Sequence, residues 1–390
     1  MKANNSVSVI EIVRAEGNIR GAARKLGIGR TSLYHKLVDE LLNSGAPVNV
    51  YEEHALQRRV KSLEARNKEL TDLIISEAEQ SKLIDVLAST SLEPPEWLIH
   101  APKGKSHHAT ITAFLSDTHF DERVTASEMN GVNSYNRKVA ELRLRKFFDT
   151  SVKLTRDYIA GVKIDGLVLP LGGDMVTGNI HEELERTNDA PILDTCLHWA
   201  EQIAAGIEMQ LKFFPKIFVP CVVGNHGRLR KKPQHKTVAR DNYDWLIYQM
   251  IAKHFRSDSR VTFMIPDGPD CYYSVYNTRN LLTHGNQFSG GNGIGGIAVP
   301  IMRGDAKKQK SAAALGRPYD IMQIGHWHQR KDLGSVLING SLKGYDEFAL
   351  FHNFDFELPQ QSLWVTTPER GKTFSAPIFV ATDEERKFWT

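Results

Sequence analysis

The chain has 390 residues, 41% hydrophobic and 24% charged, the profile of a globular protein long enough for two or three domains. Its formal net charge of +3 is too small to imply a nucleic-acid partner, so any such contact needs a local cluster. The cysteines Cys196, Cys221 and Cys271 form no CxxC pair, which excludes a disulfide framework and a thiolate zinc site and fits a reducing cytoplasm. The first residues carry charges inside their apolar stretch, unlike a secretory signal. No run approaches the roughly 18 apolar residues of a membrane span, so no membrane partner is expected.

Residues 1–46 read as a small helical unit. Val9, Ile12 and Val13 have helical spacing, and Gly17 and Asn18 supply a stop followed by an N-cap. Ala22, Ala23 and Leu26 line one face of a second helix and Gly27 makes a turn. A third helix starts near Arg30, with Leu33 and Leu37 facing inward at i, i+4. Small residues at a helix crossing and a glycine in the tight turn are a helix-turn-helix signature. From Asn18 to Leu37 the segment carries Arg20, Arg24, Lys25, Arg30 and Lys36 and no acid. Arg30, Thr31, Ser32, Tyr34, His35 and Lys36 would decorate the last helix with groups able to reach phosphates and base edges.

Over 51–90, Leu56, Val60, Leu63, Asn67, Leu70 and Ile74 alternate in steps of four and three, a heptad seam with a polar a position. This pattern predicts a coiled-coil helix and a homo-oligomer through residues 56–74. Glu93-Pro94-Pro95-Glu96 cannot continue a helix, and 91–107 reads as a linker.

From 108 to 390, β-rich apolar runs alternate with helical stretches. Continuous apolar strands belong to sheets buried on both faces, so an α/β layered domain is expected. Five runs end abruptly in polar residues: Asp117-Thr118-His119, Gly173-Asp174, Gly224-Asn225-His226, His284-Gly285-Asn286 and Gly325-His326-Trp327-His328. Sites in α/β sheets gather beyond the carboxyl ends of strands. Asp-x-His and His-x-His have period 2, which turns both partners to one side of an extended segment. A single histidine at a strand end is usually a hydrogen-bonded or surface residue. Five such ends in one chain point instead to a metal cluster, and oxygen and imidazole donors without thiolate suit manganese, iron or zinc rather than calcium.

The order DTH, GGD, GNH, H, GHWH resembles the calcineurin-like metallophosphoesterase superfamily over roughly residues 108–350. The resemblance implies an α/β sandwich of two packed sheets flanked by helices, around a dinuclear centre. It implies that Asp117, His119 and His328 hold one divalent metal, that Asn225, His284 and His326 hold the other, and that Asp174 bridges them. Mn2+ is the expected metal, with Fe, Zn or Mg as alternatives. The same resemblance gives His226 contact with the scissile phosphate and protonation of the leaving group, while the two metals activate a bridging hydroxide. Met175-Val176-Thr177 after Asp174 departs from both the Ser/Thr protein phosphatases, which carry Asp-Arg-Gly there, and the purple acid phosphatases, which carry a metal-binding Tyr. Gly227 stands where many members have an acid after the histidine.

The Asn18–Leu37 segment resembles the helix-turn-helix of the factor-for-inversion-stimulation type, and the catalytic layout resembles the nuclease subunits of double-strand-break repair complexes. Together these imply DNA as partner and substrate. His181, just past Asp174, and Arg228 are candidate substrate contacts, and Arg20, Arg30, Thr31, Ser32, Tyr34 and Lys36 are candidate DNA contacts. The glycine-rich run 288–296, followed by Arg303, Lys307, Lys308 and Lys310, reads as a mobile basic loop able to follow a DNA backbone. Phe348, Phe351, Phe354 and Phe356 read as core or dimer contact. The expected function is a metal-dependent DNA nuclease. The alternatives are a phosphodiesterase or phosphatase on a small or protein-bound ester, and a DNA-binding regulator with an inactive metal domain.

Overall fold

The N-terminal helices are short, so their ends decide where they stop. Helices α1 (Val9–Glu16) and α2 (Ile19–Leu26) each end on a glycine in the left-handed region, Gly17 and Gly27, at φ 66° and 65°, a conformation that costs other residues more. The Asn18 side chain caps α2 by accepting from the Gly21 amide at 2.7 Å. Ala22, Ala23 and Leu33 are buried, with Val9, Ile12, Val13, Ile19, Leu26 and Ile28 packed around them. They join α1 and α2 to α3 (Arg30–Asn43). The computed structural model describes residues 8–43, 93–100, 102, 104, 106–290 and 296–381. The heptad seam expected over 56–74, with its homo-oligomer, lies outside the described residues, as does most of the glycine-rich run.

The chain divides into two units, residues 1–84 and 85–390. The second is an α/β sandwich of two mixed sheets. The six-stranded sheet is built from β1 (His108–Phe114), β2 (Lys163–Val168), β3 (Ile217–Pro220), β4 (Val261–Met264), β10 (Gln360–Thr367) and β11 (Gly371–Phe379). Its spatial order is β11-β10-β1-β2-β3-β4, with β1 to β4 parallel and β10 and β11 antiparallel. The five-stranded sheet holds β5 (Asp270–Val275), β6 (Thr278–Thr283), β7 (Ile321–Ile324), β8 (Lys331–Asp332) and β9 (Val336–Ile338) in the order β5-β6-β7-β9-β8. Strands β6, β7 and β9 run parallel.

Phe114, Val168, Phe218 and Val222 from the first sheet pack against Cys271, Tyr273, Leu282 and Leu337 from the second. Burial of this apolar surface, at about 25 cal/mol per Å², holds the sheets face to face. Long helices Arg137–Tyr158 and Ile192–Gln210 lie close together, with Gly206 so near Phe148 that an added Cβ would sit 2.0 Å from its ring. Helix Ala298–Ala314 covers the second sheet through Ile301 and Ala312, against Leu281, Met322 and Ile324.

Two expectations are corrected. The 91–107 stretch is not all linker. Pro95 starts a helical turn, Glu96–Ile99, whose Leu98 is fully buried and whose Leu98 carbonyl accepts from the Tyr276 amide at 2.7 Å. Of the two readings for Phe348, Phe351, Phe354 and Phe356, core is corrected: the side chains are exposed, Phe351 by 81%, and dimer contact stays an expectation. They project from a short helix, Glu347–Phe351, and the loop after it. No helix among the described residues is long and apolar enough to cross a membrane.

Candidate metal centre

Parallel strands put their carboxyl ends on one side, and two such sets face each other here. Asp117 and His119 follow β1, Asp174 follows β2, and Asn225 and His226 follow β3. From the opposite sheet, His284 follows β6, and His326 and His328 follow β7. Possible ligand atoms of Asp117, His119 and His328 lie within 4.8 Å of one another, as do those of Asp174, His284 and His326, and those of His119, Asp174 and His226. Asn225 joins the second group through its Oδ1, 3.2 Å from His284 Nε2. The strand ends turn sharply to do this. Asp117, His119, Asp174, His326 and His328 all have positive φ, between 47° and 69°, a strained state for residues with a Cβ that persists where surrounding structure enforces it. Glycines make room beside them: a Cβ on Gly224 would meet Asp174 Oδ1 at 2.1 Å, and one on Gly325 would meet Asp117 Oδ2 at 2.3 Å.

The donor set fits divalent cations. His284 Nδ1 lies 2.8 Å from the Gly172 carbonyl and must donate to it, which leaves the Nε2 lone pair aimed inward. That lone pair meets Asp174 Oδ2 at 3.0 Å and Asn225 Oδ1 at 3.2 Å, both acceptors. Burial works against a charge on His284, but Asp174 outweighs it and pushes the imidazole up to about 9: without a metal, a proton must answer these acceptors. Across the centre, the Nε2 atoms of His119 and His328 approach to 3.1 Å, and His328 Nε2 lies 3.5 Å from Asp117 Oδ1. Burial drives His328 well below its ordinary value, and His326 down to about 3, keeping both neutral as metal ligands require. Burial also pushes Asp117 up to about 6, whereas for Asp174 the nearby His284 and His226 overcome burial and hold the carboxylate well below its usual range.

Three supporting residues, Asp244, Glu122 and Lys343, are absent from the sequence reading. Asp244, buried at the start of helix Tyr243–His254, accepts from the amides of Asp174 and Gly224, both at 2.9 Å, and of Met175 at 3.1 Å. One carboxylate thus ties the loops bearing Asp174 and Asn225, and burial pushes it up to about 6. Glu122 sits three residues after His119, its Oε2 3.4 Å from His119 Nδ1, an atom that makes no hydrogen bond of normal length. Lys343, itself buried, reaches Glu122 at 2.7 Å and also pairs with Asp346. Burial opposes the charge on Glu122, but Lys343 wins and holds it ionised. A carboxylate behind a ligating histidine orients the ring and raises its basicity. The DTHFDE order, with an acid one helical turn past the histidine, is the only trace of this in the sequence.

The remaining candidates divide by position. The His226 ring stands 4.7 Å from that of His119, with Nδ1 3.2 Å from the Thr177 carbonyl, and burial pushes its value down to about 4. His181 is exposed, its ring 5.5 Å from that of His226. Arg228 is turned to its own loop: Nη1 donates to the Asn225 carbonyl at 3.0 Å, and Nη2 and Nε donate to Lys231 and Arg230. In the N-terminal unit, Arg20, Arg30, Thr31, Ser32 and Lys36 are exposed and Tyr34 is half-buried. Lys25 pairs with Glu16 at 2.8 Å.

No protein-family model matches the sequence, and no curated protein matches it. Among solved structures, a dimetal phosphatase from Danio rerio is 9% identical, with 70% of this chain and 99% of that one covered, at a TM-score of 0.32. Vacuolar protein sorting 29 from Cryptosporidium parvum is 12% identical over 69% of this chain and 96% of that one, at a TM-score of 0.25. A Streptococcus pneumoniae protein, described as a phosphoesterase on prediction, is 12% identical over 69% and 97%, at 0.26. Likenesses this loose lend the site no support, and its chemistry rests on its own geometry.

Proposed function

We propose that this chain is a two-metal phosphodiester hydrolase that cuts DNA. The observation that carries the reading is the meeting of Asp174, Asn225 and His284 acceptors beside a second group of Asp117, His119 and His328. Buried acceptors facing one another are costly unless a cation lies among them. Asp117, His119 and His328 would hold one divalent metal and Asn225, His284 and His326 the other, with Asp174 between; Mn2+ is our choice, with Fe, Zn or Mg as alternatives. Two divalent cations bound there supply a water of lowered pKa as nucleophile and neutralise charge on the phosphoryl oxygens.

The chain's own groups do the rest. Donation from His226 Nδ1 to the Thr177 carbonyl fixes that ring, which burial keeps neutral in the free protein; the negative charge of a bound phosphate would favour the imidazolium form, whose Nε2–H is then the proton for a leaving alkoxide. His181, exposed beside it, would meet substrate there. Arg228 holds the Asn225–Lys231 loop in shape through three carbonyls. The DNA assignment draws on the N-terminal unit, where Arg20, Arg30, Thr31, Ser32 and Lys36 lie exposed on helices of helix-turn-helix spacing, with Tyr34 half-buried among them.

The test is hydrolysis of end-labelled DNA with added manganese, beside hydrolysis of a bis-aryl phosphodiester. The reading expects both substrates to be cut by wild type and neither by Asp174→Ala or the EDTA-treated protein. Cleavage of the diester with intact DNA would move the assignment to a phosphodiesterase of small or protein-bound esters. Turnover of neither, with DNA still bound, would favour a DNA-binding regulator.

A further inference from the structure

The basic segment after His284 does not form a loop among its described residues; it is the helix Ala298–Ala314, with Arg303 and Lys307 at i, i+4 on one face. Beside that face lies a groove of about 460 Å³, whose walls include Arg303, Lys307, Gln287, Ser289 and Tyr272. Among the described residues its charge is uncompensated. The acid that lines it, Asp270, is paired with Lys308 at 2.7 Å. Asp305, on the same helix, is buried and accepts from the Tyr319 hydroxyl at 2.7 Å. Arg303 and Lys307 are exposed, and among the described residues neither takes an ion pair. Arg317 adds a third cation nearby, its guanidinium 5.8 Å from the Tyr272 ring centre.

The groove is tied to the metal centre by a short, fixed turn. Phe288 donates from its amide to the Gly285 carbonyl at 3.1 Å, and the Gln287 side chain donates to the Thr283 hydroxyl at 2.8 Å. The Phe288 ring fills the space a Cβ on Gly304 would need, at 2.2 Å, which seats the helix directly on this turn. Gln287 is three residues past His284, so at most about 11 Å of backbone separates a groove wall from a metal ligand. A nucleic-acid strand rises about 3.4 Å per nucleotide, so the span from the centre to this groove corresponds to a few nucleotides.

We infer that the groove between Arg303, Lys307 and the Gln287–Ser289 turn holds backbone phosphates of the substrate strand beside the scissile bond. This rests on the nuclease reading and names the part of the chain that tells a polynucleotide from a small diester. Arg offers a planar fork and Lys a point charge, both suited to phosphate oxygens. The contacts carry no base identity, so binding here is independent of sequence.

The experiment measures binding of a labelled oligonucleotide to the full chain over a salt series, with metal omitted so that the strand survives. Bis-aryl phosphodiester turnover with manganese is measured in parallel. Arg303→Ala and Lys307→Ala should each reduce the slope of log affinity against log salt by roughly 0.7 to 0.9, with the double variant near the sum. Diester turnover should stay at the wild-type level, which also reports an intact fold. Lys310→Ala, exposed on the same helix outside the groove, should leave the slope in place. An unchanged slope in the double variant, or an equal fall in Lys310→Ala, overturns the groove while the nuclease reading stands. If wild type cleaves the diester and binds no oligonucleotide even at low salt, the nuclease reading itself fails and the groove falls with it.

Discussion

The strand-end centre and the N-terminal three-helix unit are both small clusters of polar residues on an ordinary scaffold, yet they speak about function very differently. At the centre the polar groups face inward, with Asp117, His119, Asp174 and His284 buried, and their acceptor atoms meet so that a proton or a metal cation must lie among them. Their chemistry is therefore constrained by physics alone. In the N-terminal unit the polar groups face outward, and nothing in the packing of Ala22, Ala23 and Leu33 demands a particular partner. A buried polar cluster must be satisfied and so announces its ligand, whereas an exposed one is satisfied by water. That asymmetry is why the metal chemistry rests on geometry while DNA binding rests on helix spacing and charge.

The comparison breaks most sharply at Asp174, which belongs to two of the ligand groups. Asp174→Ala should take phosphodiester turnover to background and remove tightly held metal, as read by elemental analysis of the dialysed protein. His226→Ala sharpens the distinction between ligand and proton donor. It should lower turnover by about 10²- to 10⁴-fold while metal content stays at the wild-type level, and a loss of metal instead would make His226 a ligand. Deeper in, Lys343→Met leaves Glu122 and Asp346 buried without their cation. It should destabilise the 85–390 unit by about 3–5 kcal/mol, seen as a lower urea midpoint. Glu122→Gln keeps the shape but weakens the hold on His119, and should reduce metal affinity about 10- to 100-fold in a titration. On the other side of the comparison, Arg30→Ala with Lys36→Ala should leave phosphodiester turnover untouched. The salt dependence of DNA binding should flatten by roughly one unit of slope per charge, and no change would remove the N-terminal unit as a DNA contact.

Much of the α/β layout was legible from the chain because apolar strand runs stop where their polar tips begin, as at Asp117, Asp174 and His326. Helix ends at Gly17, Asn18 and Gly27 were equally local, set by backbone conformation and a side-chain cap. What stayed hidden depends on distant partners. Lys343 meets Glu122 across 221 positions, and Asp244 reaches back 70 positions to the Asp174 amide; neither relation leaves a periodic trace. The basic residues 303–310 read as loop because the glycines before them dominate the local pattern, although the structure winds them into helix Ala298–Ala314. The aromatic run 348–356 reads as core or dimer contact because Phe is usually buried, and within this chain the four face outward.

The central claim is that the strand ends hold a pair of metal ions, and metal stoichiometry tests it most directly. Protein loaded with manganese, dialysed and analysed by mass spectrometry should carry about two ions per chain, with the second group of ligands emptied in His284→Ala and the first in His119→Ala. A wild-type chain that retains only trace metal under those conditions would contradict the account.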